Sequence, residues 1–148
     1  MFEQSETAVN PTFVQFGSPS DSRYRGSSVQ RLRAWIDHPD TGSVEQICAA
    51  LGMNHARLAR MSKRTFGETP KLLIRRARLL RMLAILEVRP YREWRAFLDW
   101  RYVDQSHFIR DFQHFLGMAP RDYSALPLTS RHALLDSQFG DYALKMAA

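Results

Sequence analysis

Apolar residues recur three or four positions apart through most of this chain, the spacing of one helix face. Val29, Leu32 and Ile36, with Trp35 beside them, predict a first helix over about Ser28 to Asp37, ended by Pro39, Asp40 and Gly42. Ser43-Val44-Glu45-Gln46 reads as a capping box, with Gln46 three residues after Ser43. It opens a short helix, Val44 to Leu51, whose apolar positions are Val44, Ile47, Cys48 and Leu51 and which Gly52 stops. Asn54 can cap the next helix, about His55 to Phe66, which ends at Gly67. Two helices joined by a tight Gly-containing turn form a helix-turn-helix pattern, whose second helix is the one that enters a major groove.

Thr69-Pro70 supplies a cap and a proline at the first helical position. The helix that follows, about Pro70 to Leu86, has 17 residues and a length of about 25 Å at about 1.5 Å per residue. Leu72, Leu73, Leu79, Leu80, Leu83 and Leu86 cover more than one stripe of it, so it should be contacted from two sides and join two halves. Arg75, Arg78 and Arg81 share an i, i+3 spacing that predicts one exposed edge. Pro90 breaks the chain, and Trp94, Phe97, Leu98 and Tyr102 predict a helix over about Arg92 to Trp100. Asp104 then caps a helix from Gln105 to Leu116, Gly117 stops it, and Pro120 opens a short helix to about Leu126. The flanks are weaker. Residues 1–27 are rich in Ser, Thr, Gln, Gly and Pro with scattered Phe2, Phe13, Val14 and Phe16, and read as a disordered tail. Residues 127–148, with Leu134, Leu135, Phe139, Tyr142 and Leu144, predict a weak amphipathic helix interrupted by Gly140.

Within this all-α pattern two segments match at an offset of 50 residues. Leu58-x-Arg60 followed by Phe66-Gly67-x-x-Pro70 returns as Phe108-x-Arg110 followed by Leu116-Gly117-x-x-Pro120. The organisation is therefore a first unit over 28–69, a linker helix within 70–88 and a second unit over 89–126. A tandem of small helical units suits a repeating polymer such as DNA.

Charge sharpens that picture. The net charge is +6, but Arg57 to Arg81 holds nine basic residues against one acid, Glu68, a net of +8. The basicity is thus local, as a binding surface for nucleic acid requires. Cys48 is the one cysteine, so no intramolecular disulfide is possible; its place on an apolar helix face reads as buried and inert. No apolar run is long enough to span a membrane, and no secretory signal is visible. No Ser-His-Asp set, phosphate loop or paired carboxylates stand out, so no catalytic residue and no cofactor is expected. His107 and Asp111 at i, i+4 could touch one ion, but two ligands make a poor metal site and none is expected.

The motifs resemble the DNA-binding domain of the AraC family of bacterial transcription regulators over about Val29 to Leu126. The second-unit signature of that family corresponds to Arg101-Tyr102-Val103-Asp104-Gln105-Ser106-His107-Phe108-Ile109-Arg110-Asp111-Phe112, with Gly117, Pro120 and Tyr123. The first unit also resembles it in Gly52-Met53-Asn54, Leu58, Arg60, Gly67 and Pro70, and the linker in Arg78-Leu79. The resemblance implies about seven helices, with two helix-turn-helix units on one central helix. It implies a monomer that inserts two recognition helices into adjacent major-groove segments on one face of double-stranded DNA, where grooves recur about every 34 Å. Three positions depart from the pattern. Arg101 stands where the family has glycine, at a cost of about 1 kcal/mol if the backbone is left-handed. Phe97 stands in place of a small alanine and should push helices apart. Ser62 stands where an aromatic packs, and puts a hydroxyl near the core or opens a void. Residues 1–27 are too few for the ligand-binding barrel of many members, so the resemblance is to short stand-alone regulators or a truncated derivative.

Early and exposed positions on a recognition helix face base edges. These are His55, Ala56, Arg57, Ala59 and Arg60 in the first unit, and Gln105, Ser106, His107, Ile109 and Arg110 in the second. Arginine can bond guanine O6 and N7 together and glutamine adenine N6 and N7, whereas Ala59 and Ile109 offer only apolar contact. Lys63, Arg64, Arg75, Arg76 and Arg121 are candidates for phosphates, as are the backbone N–H groups at the Ser43 and Pro120 helix starts. The function expected is a cytoplasmic, nucleoid-associated bacterial transcription regulator, an activator or a repressor, acting through RNA polymerase contact or by occlusion. The alternative is a protein-interaction module that keeps the fold without reading sequence.

Overall fold

The computed structural model describes residues 26–38, 40–88, 94–96, 98–99 and 102–147. The expectations attached to residues 1–25, Pro39, Pro90, Arg92, Phe97, Trp100 and Arg101 lie outside the described residues. Among the described residues there are seven α-helices and no strand: α1 (Ser28–Asp37), α2 (Val44–Leu51), α3 (His55–Phe66), α4 (Pro70–Val88), α5 (Gln105–Leu116), α6 (Pro120–Ala125) and α7 (Leu128–Ala147).

Local signals set most helix ends. Ser43 accepts from the Gln46 N–H while the Gln46 side chain accepts from the Ser43 N–H, the capping box expected from the sequence. A second box, Ser27 with Gln30, starts α1 in the same way and went unread in the sequence. Arg31 donates to the Ala50 carbonyl at 2.6 Å and so ties α1 to the end of α2. The repeat is structural as well as sequential. Helices α3 and α5 are both 12 residues long. Asn54 caps the first through the Arg57 N–H, and Asp104 the second through the His107 N–H. Both end on a left-handed glycine, Gly67 at φ 80 and Gly117 at φ 69.

Helix α4 is contacted from two sides, as its leucines predict. Leu73, Ile74 and Ala77 join Leu32, Ile36, Ile47, Leu51, Leu58 and Phe66 in a first core. Leu79, Met82, Leu83 and Leu86 join Phe108, Phe112, Phe115 and Tyr123 in a second. Leu80 packs against both. One 19-residue helix thus carries both units, with a length of about 28 Å.

Two expectations need correction. A continuous helix over about Arg92 to Trp100 is not formed: Trp94–Ala96 makes one turn of 3-10 helix, and Leu98 and Asp99 are not helical. The Asp99 N–H is drawn to the Met82 sulfur at 3.3 Å, its carbonyl accepts from the Tyr102 N–H at 2.9 Å, and its carboxylate lies 3.9 Å from Arg81. The contacts with Met82 and Arg81 tie Asp99 to α4. The other correction concerns the C-terminal segment. Gly140 does not interrupt it; α7 is one 20-residue helix, with Phe139 buried in the second core.

A Cβ placed on Gly140 meets nothing within 4 Å, and the backbone there is helical. Gly140→Ala should therefore raise stability by about 0.5–1 kcal/mol in urea unfolding. Gly117→Ala also meets no neighbour, but its φ of 69 is left-handed. That variant should lose about 1 kcal/mol. Equal effects at the two sites would contradict the assignment of Gly117 as a helix stop.

Candidate nucleic-acid interface

Helices α3 and α5 bury one face and leave another in solvent. In α3, Leu58, Ser62 and Phe66 are buried, whereas Ala56, Arg60 and Lys63 are exposed at i, i+4, i+7. In α5, the same register 50 residues on exposes Ser106, Arg110 and Gln113. Arg60 and Arg110 thus occupy matching outward positions, and neither is paired with a carboxylate among the described residues. Arg57, Arg60 and Arg64 line one groove of about 300 Å³ between α3 and the start of α1, together with Met53 and Met61. His55 is exposed, with Nε2 4.0 Å from Glu45. Ala59 and Gln105 are exposed as well.

Two sequence-predicted positions in α5 turn inward. Ile109 is half-buried against the second core. His107 leans towards α4, with Nε2 3.5 Å from Arg78 and 4.0 Å from Asp111. Its burial, and after that the Arg78 charge, hold its pKa below the ordinary 6.5. Two exposed side chains were passed over in the sequence. Gln113 shares the outward register of Arg110, and Val103 is 89% exposed just ahead of the Asp104 cap.

The feature that fixes α5 is a buried carboxylate. Asp111, 1% exposed, accepts from Arg75 Nε at 3.0 Å and Nη2 at 2.8 Å on one oxygen. Its other oxygen accepts from Arg78 Nη2 at 3.3 Å. The Arg78 guanidinium lies 4.4 Å from the centre of the Tyr102 ring. Burial, and then the Asp111 carboxylate, push the Tyr102 phenol well above its ordinary pKa. Beside this cluster a cleft of about 420 Å³ opens between the units, lined by Ser43, Glu45, Lys71, Arg75, Arg78 and His107 among others.

These pairings overturn the expected exposed edge of α4. Arg75 and Arg78 are spent on Asp111, Arg76 on Glu68, and Arg81 lies 3.9 Å from Asp99. Arg75 and Arg76 are therefore not open phosphate contacts, because each guanidinium already faces an internal carboxylate and stacks near the Phe115 ring. Lys63, Arg64 and Arg121 remain exposed. At the Ser43 helix start, Gln46 accepts from the Gly42 and Ser43 N–H groups, and Ser43 from that of Gln46. A hydrogen bond with its own backbone N–H and then the Ser43 hydroxyl hold the Glu45 carboxyl below its usual range, so that helix start already faces an anion. The Pro120 start carries no side-chain cap. Ser62 opens no polar liability: fully buried, it donates to the Glu68 carbonyl at 2.7 Å. Cys48 is buried with a free thiol. Among the described residues, no three His, Cys, Asp or Glu side chains gather where they could hold a metal, and no helix is long and apolar enough to cross a membrane.

The helix-turn-helix of α2 and α3, and a repeat of its second helix in α5, share the helix α4 and each present an arginine on an open face; together they define a protein of the helix-turn-helix class. A family model described as a helix-turn-helix domain matches residues 47–125, more than half of the chain. The chain belongs to this AraC-type helix-turn-helix family, which is non-enzymatic and whose general function is DNA-binding transcription regulation. No curated protein and no solved structure matches the chain.

Removing one partner from a buried ion pair strands the other charge. Asp111→Ala should therefore cost about 3 kcal/mol in urea unfolding, chiefly through Arg78, which is 6% exposed and cannot rehydrate as Arg75 can. A loss under about 1 kcal/mol would mean that the cluster does not hold α5 to α4. The depressed pKa of His107 gives a signed pH dependence. Below pH 6.5 the unfolded chain takes up a proton that the folded chain refuses. The stability contributed is therefore full above pH 6.5 and is lost as pH falls through the folded value. His107→Gln should show a shallower decline of stability over that acid window than the parent chain, and an unchanged slope would refute the assignment.

Proposed function

We propose that this protein is a sequence-specific regulator that places α3 and α5 in adjacent major-groove segments of double-stranded DNA. The observation that carries this reading is the matched presentation of the two helices. They share length, cap type, glycine stop and outward register at one offset of 50 residues, with Arg60 and Arg110 at equivalent open positions. Both units rest on α4, so a single chain can offer both hands, and it acts as a monomer on its site.

Arg60 and Arg110 are the side chains assigned to guanine edges. Ala56, Ala59, His55, Gln105 and Ser106 complete the facing surface, and Gln113 and Val103 extend it on the second unit. Arg57, Lys63, Arg64 and Arg121 are assigned to phosphates, which set register without reading sequence. His107 and Ile109 hold the second recognition helix in place more than they reach from it. Bound at a promoter, such a protein regulates by touching RNA polymerase or by occluding it.

Selection of sites from a random duplex pool, followed by titration across salt, tests the reading. Two separated boxes within about two helical turns are expected. Arg60→Ala and Arg110→Ala should each cost about 1–3 kcal/mol at the selected site and relax preference at one position. Lys63→Ala should instead weaken all duplexes alike and lower the salt slope by about 1. Equal, steeply salt-dependent binding to selected and scrambled duplexes would overturn sequence reading and favour a protein-interaction module.

A further inference from the structure

The family match ends at residue 125, and α7 begins after it, at Leu128. This helix packs against both α3 and α5. Its first turns are fastened to the second unit. Arg131 donates to the Leu126 carbonyl at 3.0 Å and the Ser124 carbonyl at 3.1 Å, and its guanidinium lies 5.7 Å from the Tyr123 ring centre. His132 sits 3.7 Å from Glu87, which also accepts from the Tyr123 hydroxyl at 3.1 Å. Further along, Phe139 is buried with its ring centre 6.3 Å from that of Phe115. Twenty residues give α7 a reach of about 30 Å, comparable to α4 itself.

We infer that α7 is a strap that fixes the distance and angle between the two recognition helices, with Phe139 as its positioning residue. The inference rests on the two-handed reading of DNA above. Without the strap, the angle between the units is set by one helix, and helices bend. A bend of about 20° acting over about 10 Å, one helix diameter, displaces a recognition helix by about 3.5 Å, which equals one base-pair step of about 3.4 Å. A second support from unit to unit converts such a hinge into a frame. The strap therefore governs how strictly the spacing between two boxes is read, without touching DNA.

The test uses the full chain and Phe139→Ala, each checked for an intact helical spectrum. Spin labels on Lys63→Cys and Gln113→Cys, in a Cys48→Ala background, report the distance between α3 and α5 in the absence of DNA. A narrow distribution that broadens in Phe139→Ala is expected; an unchanged distribution overturns the strap. In the second arm, unlabelled proteins are titrated against duplexes whose two selected boxes are moved apart by one or two base pairs. The parent should lose about tenfold or more, part of the avidity of the second hand, while Phe139→Ala loses under about threefold and binds a single box unchanged. Identical spacing profiles for parent and variant overturn the inference as well. A parent that is indifferent to spacing, combined with a broadened distance in the variant, sinks the two-handed reading and leaves the strap standing. Arg131→Gln, which loosens the first turn of α7 from the second unit, should act in the same direction as Phe139→Ala.

Discussion

One buried carboxylate sets the orientation of the second recognition helix. Asp111 follows Arg110 directly, and on a helix successive side chains stand about 100° apart. Holding Asp111 at 1% exposure between Arg75 and Arg78 therefore turns Arg110 outward. A leucine at 111 would bury as well, but it would tolerate rotation of α5 by a fraction of a turn. A carboxylate that meets two guanidiniums tolerates little, since each oxygen has its own donor. Such an ion cluster adds modest net stability, because desolvation offsets much of the attraction. Its effect here is on register: it links α4 and α5 by residues 36 and 33 apart in the chain.

The two units solve the same packing problem with different chemistry. In the second unit, aromatic rings meet edge to face: Tyr102 on Phe108 at 5.4 Å, Phe108 on Phe112 at 5.6 Å, and Phe112 on Tyr123 at 5.4 Å. Those contacts fill the space between α5, α6 and α4 with large rigid groups. In the first unit the position equivalent to Phe112 is Ser62, whose hydroxyl latches the turn after α3 through the Glu68 carbonyl. Glu68 in turn meets Arg76 on α4. The first recognition helix is thus held by a polar latch over a core with fewer rings, and the second by ring packing over an ion cluster. Both leave the arginine two residues after the buried Leu58 or Phe108 in solvent.

What the sequence disclosed and what it hid divide by range. Caps, glycine stops and prolines act within four residues, so the bounds of α2, α3 and α5 were legible from Ser43, Asn54, Gly67, Asp104 and Gly117. The two-sided character of α4 was legible because its leucines overfill one stripe. The partners of Arg75, Arg76 and Arg78 were not legible, since i, i+3 spacing says that side chains share an edge and not what that edge faces. The turn at Asp99 was hidden for the same reason: its bonds run to Met82 and Arg81 on another helix. Gly140 misled because glycine weakens an isolated helix, whereas here Phe139 and Arg131 anchor α7 to its neighbours. On the proposed interface, the sequence marked the early turns of each recognition helix but could not tell outward Arg110 from inward His107.

The same pairings recast the charge. Of the nine cations between Arg57 and Arg81, four face internal carboxylates and five, Arg57, Arg60, Lys63, Arg64 and Lys71, stay exposed. Four of those five lie on α3 itself, while the second recognition helix exposes Arg110 alone. The positive charge available to an anionic polymer is therefore centred on the first unit, and because it is solvent-exposed its attraction weakens as salt rises. The second unit contributes less attraction and a more rigidly oriented surface. An unequal pair of this kind has a physical advantage for a two-handed grip. If both hands bound tightly on their own, either could settle on a wrong site and hold the other away from its box. On the proposed two-handed reading, with one hand strong in charge and the other strong in geometry, binding would begin with the first, and the second would add its energy only where the spacing fits.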